Sequence, residues 1–141
     1  MPTIEEIAAI AAHALRLQPN VRFAILFGSA ATNGPGQARD IDVAISFSTS
    51  PSLMDRGVLA GLLEQALQRE VDLVDLDSAS TVLEWQVLTN GIPLVVNDPK
   101  AWKDFQVRVP IDYADLQPYH QRESDGLRRM LEKAQWSSSI S

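Results

Sequence analysis

Four short apolar runs, residues 21–27 (VRFAILF), 40–47 (DIDVAISF), 70–76 (EVDLVDL) and 92–96 (IPLVV), are separated by longer stretches with helical spacing. This alternation of strands and helices implies an α/β arrangement with helices packed on a sheet, each burying an apolar face. The first helix is expected over 4–17: Thr3 and Glu6 have capping-box spacing, and Ile7, Ile10, Ala11 and Leu15 approximate one face. Pro19-Asn20 stops it. A second helix over 53–69 carries Leu59, Leu62, Leu63, Ala66 and Leu67, and a third over 81–89 ends at a cap, Asn90-Gly91. Asp98-Pro99 reads as a helix start, opening a helical C-terminal region over about 98–135 with breaks expected near Pro110 and Pro118. The expected fold class is α/β (α+β), a small mixed sheet flanked by helices, whose strand order the sequence leaves open.

A chain of 141 residues, 45% of them hydrophobic, supports a single domain with one core, here expected over about 4–96, with only the Ser-rich stretch 137–141 of low complexity. The formal charge of -6 argues against direct nucleic-acid binding, which requires clustered cations on phosphates. It leaves room for a nucleotide, since a divalent cation can bridge acids to phosphates. There is no Cys, so disulfides and thiolate metal sites are excluded. The N-terminal Met1-Pro2-Thr3-Ile4-Glu5-Glu6 lacks the basic start and apolar run of a signal peptide, and no apolar stretch approaches the roughly 20 residues of a membrane span. A cytoplasmic protein without a membrane partner is expected.

Three features carry chemistry. Gly28-Ser29 sits where an apolar strand ends and a helical turn, then a loop, is expected over 30–39. Gly permits close approach of backbone to a ligand, N–H groups at a helix start favour phosphate, and Ser29 adds a hydroxyl. Asp40 and Asp42 lie two apart on a strand and share one face, leaving Ile41, Val43 and Ile45 for the core. Asp72 lies in another apolar strand, between Val71 and Leu73. Carboxylates held together repel and favour protonation unless a cation neutralises them, and an all-oxygen site of this kind suits Mg²⁺.

Gly28-Ser29, ten residues, then Asp40-Ile41-Asp42 resembles the signature of minimal nucleotidyltransferases of the DNA polymerase beta-like superfamily, and the segment from Val71 to Leu76 fits the same pattern. The resemblance covers about 4–96. It implies that Asp40 and Asp42 bind Mg²⁺, that Asp72 supplies the third carboxylate, and that Gly28 and Ser29 hold the triphosphate of ATP. It further implies attack at the α-phosphorus with release of pyrophosphate. Many such stand-alone domains are antitoxins paired with a HEPN-domain ribonuclease toxin, and some of them transfer AMP from ATP to a tyrosine of that toxin. Two departures stand out: Ala30-Ala31-Thr32 where relatives often carry an Arg, and Arg39 where they often carry a small polar residue. A rival reading keeps the fold and the toxin but makes the chain a non-catalytic module that masks its partner. A small-molecule nucleotidyltransferase is a further alternative, disfavoured by the short stretch after the last strand.

Other residues have plainer readings. Alternation puts Asp72 and Asp75 on opposite faces, so only one of them reaches the site. His13 and His120 lack metal-binding spacing. Trp85 and Trp102 are expected to be packing residues, Arg128, Arg129 and Lys133 to form a solvated helix face, and Tyr113 and Tyr119 are assigned neither to packing nor to a partner.

Overall fold

The structure, a computed structural model, describes residues 2–28, 31 and 40–116. Ser29, Ala30, Thr32, Arg39 and the segment from 117 onward, including Pro118, Tyr119, His120, the basic residues 128, 129 and 133, and the Ser-rich stretch, lie outside the described residues.

Helix α1 (Ile4–Arg16) is opened by Thr3, whose side chain accepts from the Glu6 N–H at 3.1 Å, and it buries Ile7, Ala11 and Leu15 at four-residue spacing. Strands β1 (Val21–Phe27) and β2 (Asp40–Phe47) pair antiparallel, with Leu26 opposite Val43 and Phe27 opposite Asp42. The register slips between Val21 and Phe23, so Arg22 is the extra residue of a bulge. Helix α2 (Leu53–Leu67) has a complete capping box, Ser52 with Asp55, and ends when Gln68 turns left-handed at φ 56°. That turn is why it stops short of Arg69. Strand β3 (Glu70–Asp75) then runs parallel to β2. It ends at Asp75, whose side chain caps a 3₁₀ turn over Leu76–Ser78. Helix α3 (Thr81–Asn90), strand β4 (Ile92–Val96) and helix α4 (Pro99–Asp115) complete the described chain.

The sheet order is β3-β2-β1-β4, with β4 antiparallel to β1, which makes the sheet mixed. Period-two alternation divides its side chains between two cores. One core holds Ile41, Val43, Ile45, Ala24 and Leu26 against Leu15 of α1 and Leu59 and Leu63 of α2. The other holds Phe23, Ile25 and Ala44 against Val87 of α3 and Phe105 and Val109 of α4. Each fully buried side chain of this kind contributes about 1.5–3 kcal/mol. Among the described residues, no helix is long and apolar enough to cross a membrane.

One expectation needs correction. Helix α4 passes through Pro110 without breaking there and reaches Asp115. An interior Pro removes one backbone bond and costs about 3 kcal/mol, but this helix is tied to α3 on both sides of it. Arg108 bonds Glu84 before the Pro, and Tyr113 stacks on Trp85 after it, with Val109 fully buried between. Gly91 caps α3 as expected, in extended backbone, its N–H donating to the Val87 carbonyl at 2.9 Å. Its small size has a steric cause: a Cβ there would run into Ile25 and the Val87 carbonyl.

Candidate active site

Alternation along β2 places Asp40 and Asp42 on the same face as Ala44 and Ser46, opposite Ile41, Val43 and Ile45. Ala44 is covered by the α3–α4 layer, whereas Asp42 and Asp40, further along the same face, are half-buried. The parallel partner brings in the third acid. Asp72 on β3 stands beside Asp42 in the register, on a neighbouring strand, and is exposed. Asp75 pairs with Ile45 and spends its side chain on the 3₁₀ turn, away from the acids. Glu70, which the sequence reading passed over, stands beside Asp40 and two residues before Asp72. Its signal was the same period-two spacing, but only the register shows which strand it faces.

The acids affect one another. Burial, followed by the charges of Asp72 and Asp40, pushes the Asp42 carboxyl above its ordinary value of 3.8. Gly28 closes the site from β1. Its φ is 81°, in the left-handed region, and a Cβ at this position would land on the Asp42 carboxylate. Only glycine meets both demands. The chain then turns, with the Ala31 N–H donating to the Gly28 carbonyl at 3.1 Å. Among the described residues no group of three acidic or histidine side chains is close enough to hold one ion, so the acids form a neighbouring set without a closed ligand shell. Like charges on adjacent strands repel, which opposes closer approach. The donor set is nonetheless all oxygen, the charge on Asp42 is disfavoured in a way that a cation would relieve, and Gly28 leaves its carboxylate room. These features fit Mg²⁺.

The opposite end of this sheet face carries a cleft of about 390 Å³ in which both arginines, Arg22 and Arg108, are paired with acids. The Arg22 Nε donates to Ser46 Oγ at 3.0 Å and its Nη2 lies 3.2 Å from Asp77. Arg108 donates to both oxygens of Glu84 at 2.8 and 3.3 Å, and to Asp112 at 3.0 Å. The hydrogen bond to Glu84, foremost, raises the Arg108 pKa further. The aromatic residues nearby are packing residues: Trp102 meets Phe23 edge-on at 5.0 Å, and Trp85 stacks on Tyr113 at 4.6 Å. His13 is exposed on α1.

Comparison with known proteins adds the following. The family model "Polymerase beta, Nucleotidyltransferase" matches residues 9–100. The chain is 42% identical over 73 residues to the protein adenylyltransferase MntA of Shewanella oneidensis, a stretch covering 52% of each protein. The match thus spans about half the length of that relative. A solved toxin–antitoxin structure with AMP-PNP aligns with a TM-score of 0.68 at 35% identity, covering 86% of this chain and 98% of that one. A solved complex of tri-AMPylated Shewanella oneidensis HEPN toxin with an MNT antitoxin aligns with a TM-score of 0.67 at 32% identity, covering 89% and 98%.

Proposed function

This chain belongs to the polymerase beta nucleotidyltransferase family, and from that premise we propose that it is a protein adenylyltransferase that moves AMP from ATP onto a hydroxyl of a HEPN-domain toxin in the cytoplasm, so acting as the antitoxin. One observation carries the proposal: Asp42 sits beside Asp72 on the next strand and against Gly28, with a carboxyl whose charging is opposed by burial and then by its acidic neighbours. The named relatives support the choice of AMP and of a HEPN partner.

Asp40 and Asp42 are the residues that would hold Mg²⁺, with Asp72 as the third carboxylate. When bound, the ion neutralises triphosphate oxygens and the charge that develops on them during transfer. Gly28 leaves the backbone open at the end of β1, where Gly28 and Ser29 are assigned to the triphosphate. Asp72 is exposed, so an acceptor hydroxyl can reach it, and its carboxylate is assigned to take the hydroxyl proton. The acceptor oxygen bonds to the α-phosphorus, the bond from that phosphorus to the bridging oxygen breaks, and pyrophosphate leaves with the electron pair.

The test is toxin neutralisation in growing cells, using the Asp40→Asn variant beside the unchanged chain. The proposal expects the variant to bind the toxin and fail to protect. Equal protection would replace it with the masking module.

A further inference from the structure

Among the described residues Asp72 lies on the edge strand of the sheet: β2 flanks β3 on one side and no described strand flanks it on the other. An edge strand presents unpaired N–H and C=O groups and is held less firmly than a central one. Here α2 supplies the missing partner on both sides of Asp72. Glu64 accepts from the Val71 N–H at 3.0 Å, and the Arg56 Nη2 donates to the Leu73 carbonyl at 3.2 Å, both in partly buried settings. Residues 56 and 64 are eight apart, a little over two helical turns, so they share one face of α2. Both bonds are charge-assisted, which makes them stronger than the neutral ladder bonds they stand in for.

We infer that Arg56 and Glu64 are positioning residues for the transfer reaction, pinning the backbone on either side of Asp72 so that its carboxylate stays beside Asp42. The inference rests on the proposed adenylyltransferase reading for its catalytic consequence and on the two hydrogen bonds alone for its structural half. Asp72 is held from within by pairing with β2 and from without by these two side chains. Loss of either bond frees one flank of a residue whose usefulness depends on placement within a fraction of an ångström. The substitution that separates positioning from bulk packing is Glu64→Leu, which keeps volume and loses the acceptor. Glu64→Gln keeps an acceptor oxygen and should restore function.

The experiment uses the full chain and two readouts. Amide hydrogen exchange of Val71 is followed in the apo protein, and steady-state AMP transfer to a purified HEPN toxin is followed with ATP and Mg²⁺. Glu64→Leu should speed Val71 exchange, and both Glu64→Leu and Arg56→Leu should lower kcat by about 10–100-fold with the KM for ATP nearly unchanged. Exchange at Val43, in the sheet interior, should not move, and Glu64→Gln should stay near the unchanged chain in both readouts. If Val71 exchange accelerates while kcat holds, the positioning role is wrong. If Val71 exchange is the same in Glu64→Leu, the clamp does not exist in solution. Should the unchanged chain transfer no AMP, the adenylyltransferase reading falls and takes the catalytic consequence with it, while exchange still decides the clamp. A Glu64→Leu protein that does not fold leaves Glu64→Gln and Arg56→Lys, where a loss of kcat as large as that expected for Leu would equally overturn the inference.

Discussion

The two ends of one sheet face treat charge in opposite ways. At the start of β2 and β3, Asp40, Asp42 and Asp72 stand together, and none of the ion pairs among the described residues involves them. At the other end of β1 and β2, Arg22 is held by Ser46 and Asp77, and Arg108 by Glu84 and Asp112. Both ends are rich in charge, yet among the described residues only the second has acids bridged by arginines. Pairing offsets much of the desolvation cost of burying a charge. Acids gathered without a cation cost stability, and a fold retains such a cost where it serves a ligand. Under the proposed function, the first end is the one that carries chemistry and the second the one that holds structure.

The largest effect that would break this contrast concerns Asp42. Asp42→Asn should lower AMP transfer by on the order of a thousandfold, several kcal/mol of lost charge stabilisation. It should also raise the melting temperature at neutral pH. The folded-state pKa of Asp42 lies above its ordinary value. The native state therefore holds the proton more tightly than the unfolded chain. Its penalty is fully present above the raised pKa and is relieved as pH falls through it towards 3.8. Melting curves across pH should show that relief in the unchanged chain and lose it in Asp42→Asn. A variant that is inactive and less stable would contradict the assignment.

Gly28→Ala comes next. It forces a left-handed φ on a residue with a Cβ and drives that carbon into the Asp42 carboxylate. The expected cost is about 1–3 kcal/mol by chemical denaturation, with transfer reduced about 10–100-fold because Asp42 must move. At the paired end the pattern reverses. Arg108→Ala strands Glu84, which is almost fully buried. Removing one partner of a buried pair costs about 3–5 kcal/mol. Arg108 is itself half-exposed, and water screening reduces the expected loss to about 2 kcal/mol. Urea midpoints should show it while kcat stays within about twofold. Smallest of all, Asp77→Asn removes an exposed ion pair and should cost under about 1 kcal/mol, with activity unchanged. If either paired-end variant lost activity at intact stability, the division between the two ends would fail.

Much of the fold is legible in the sequence because local pattern and final burial agree. The short apolar runs of β1 and β4 and the alternation of β2 place their bounds directly, and that alternation puts Asp40 and Asp42 on one face. Agreement ends where distant contacts override local rules. Pro110 argues for a break, and the Arg108–Glu84 and Tyr113–Trp85 contacts, made to another helix, outweigh it. The register that sets Asp72 beside Asp42 is a property of two strands joined through a helix, so no spacing within either strand reveals it. Glu70 and the Glu64 and Arg56 bonds to β3 were hidden for the same reason. The need for glycine at 28 was visible as a motif, but its physical cause, the carboxylate occupying the place of a Cβ, appears only when β1 and β2 pair.

The central claim is that the unpaired carboxylates turn over. It is tested most directly by the intact mass of a purified HEPN-domain toxin incubated with the full chain, ATP and Mg²⁺. The account predicts a gain of one or more AMP units with the unchanged chain and none with Asp42→Asn, although the complex forms in both cases. An unmodified toxin that is nonetheless neutralised equally by both chains would contradict it.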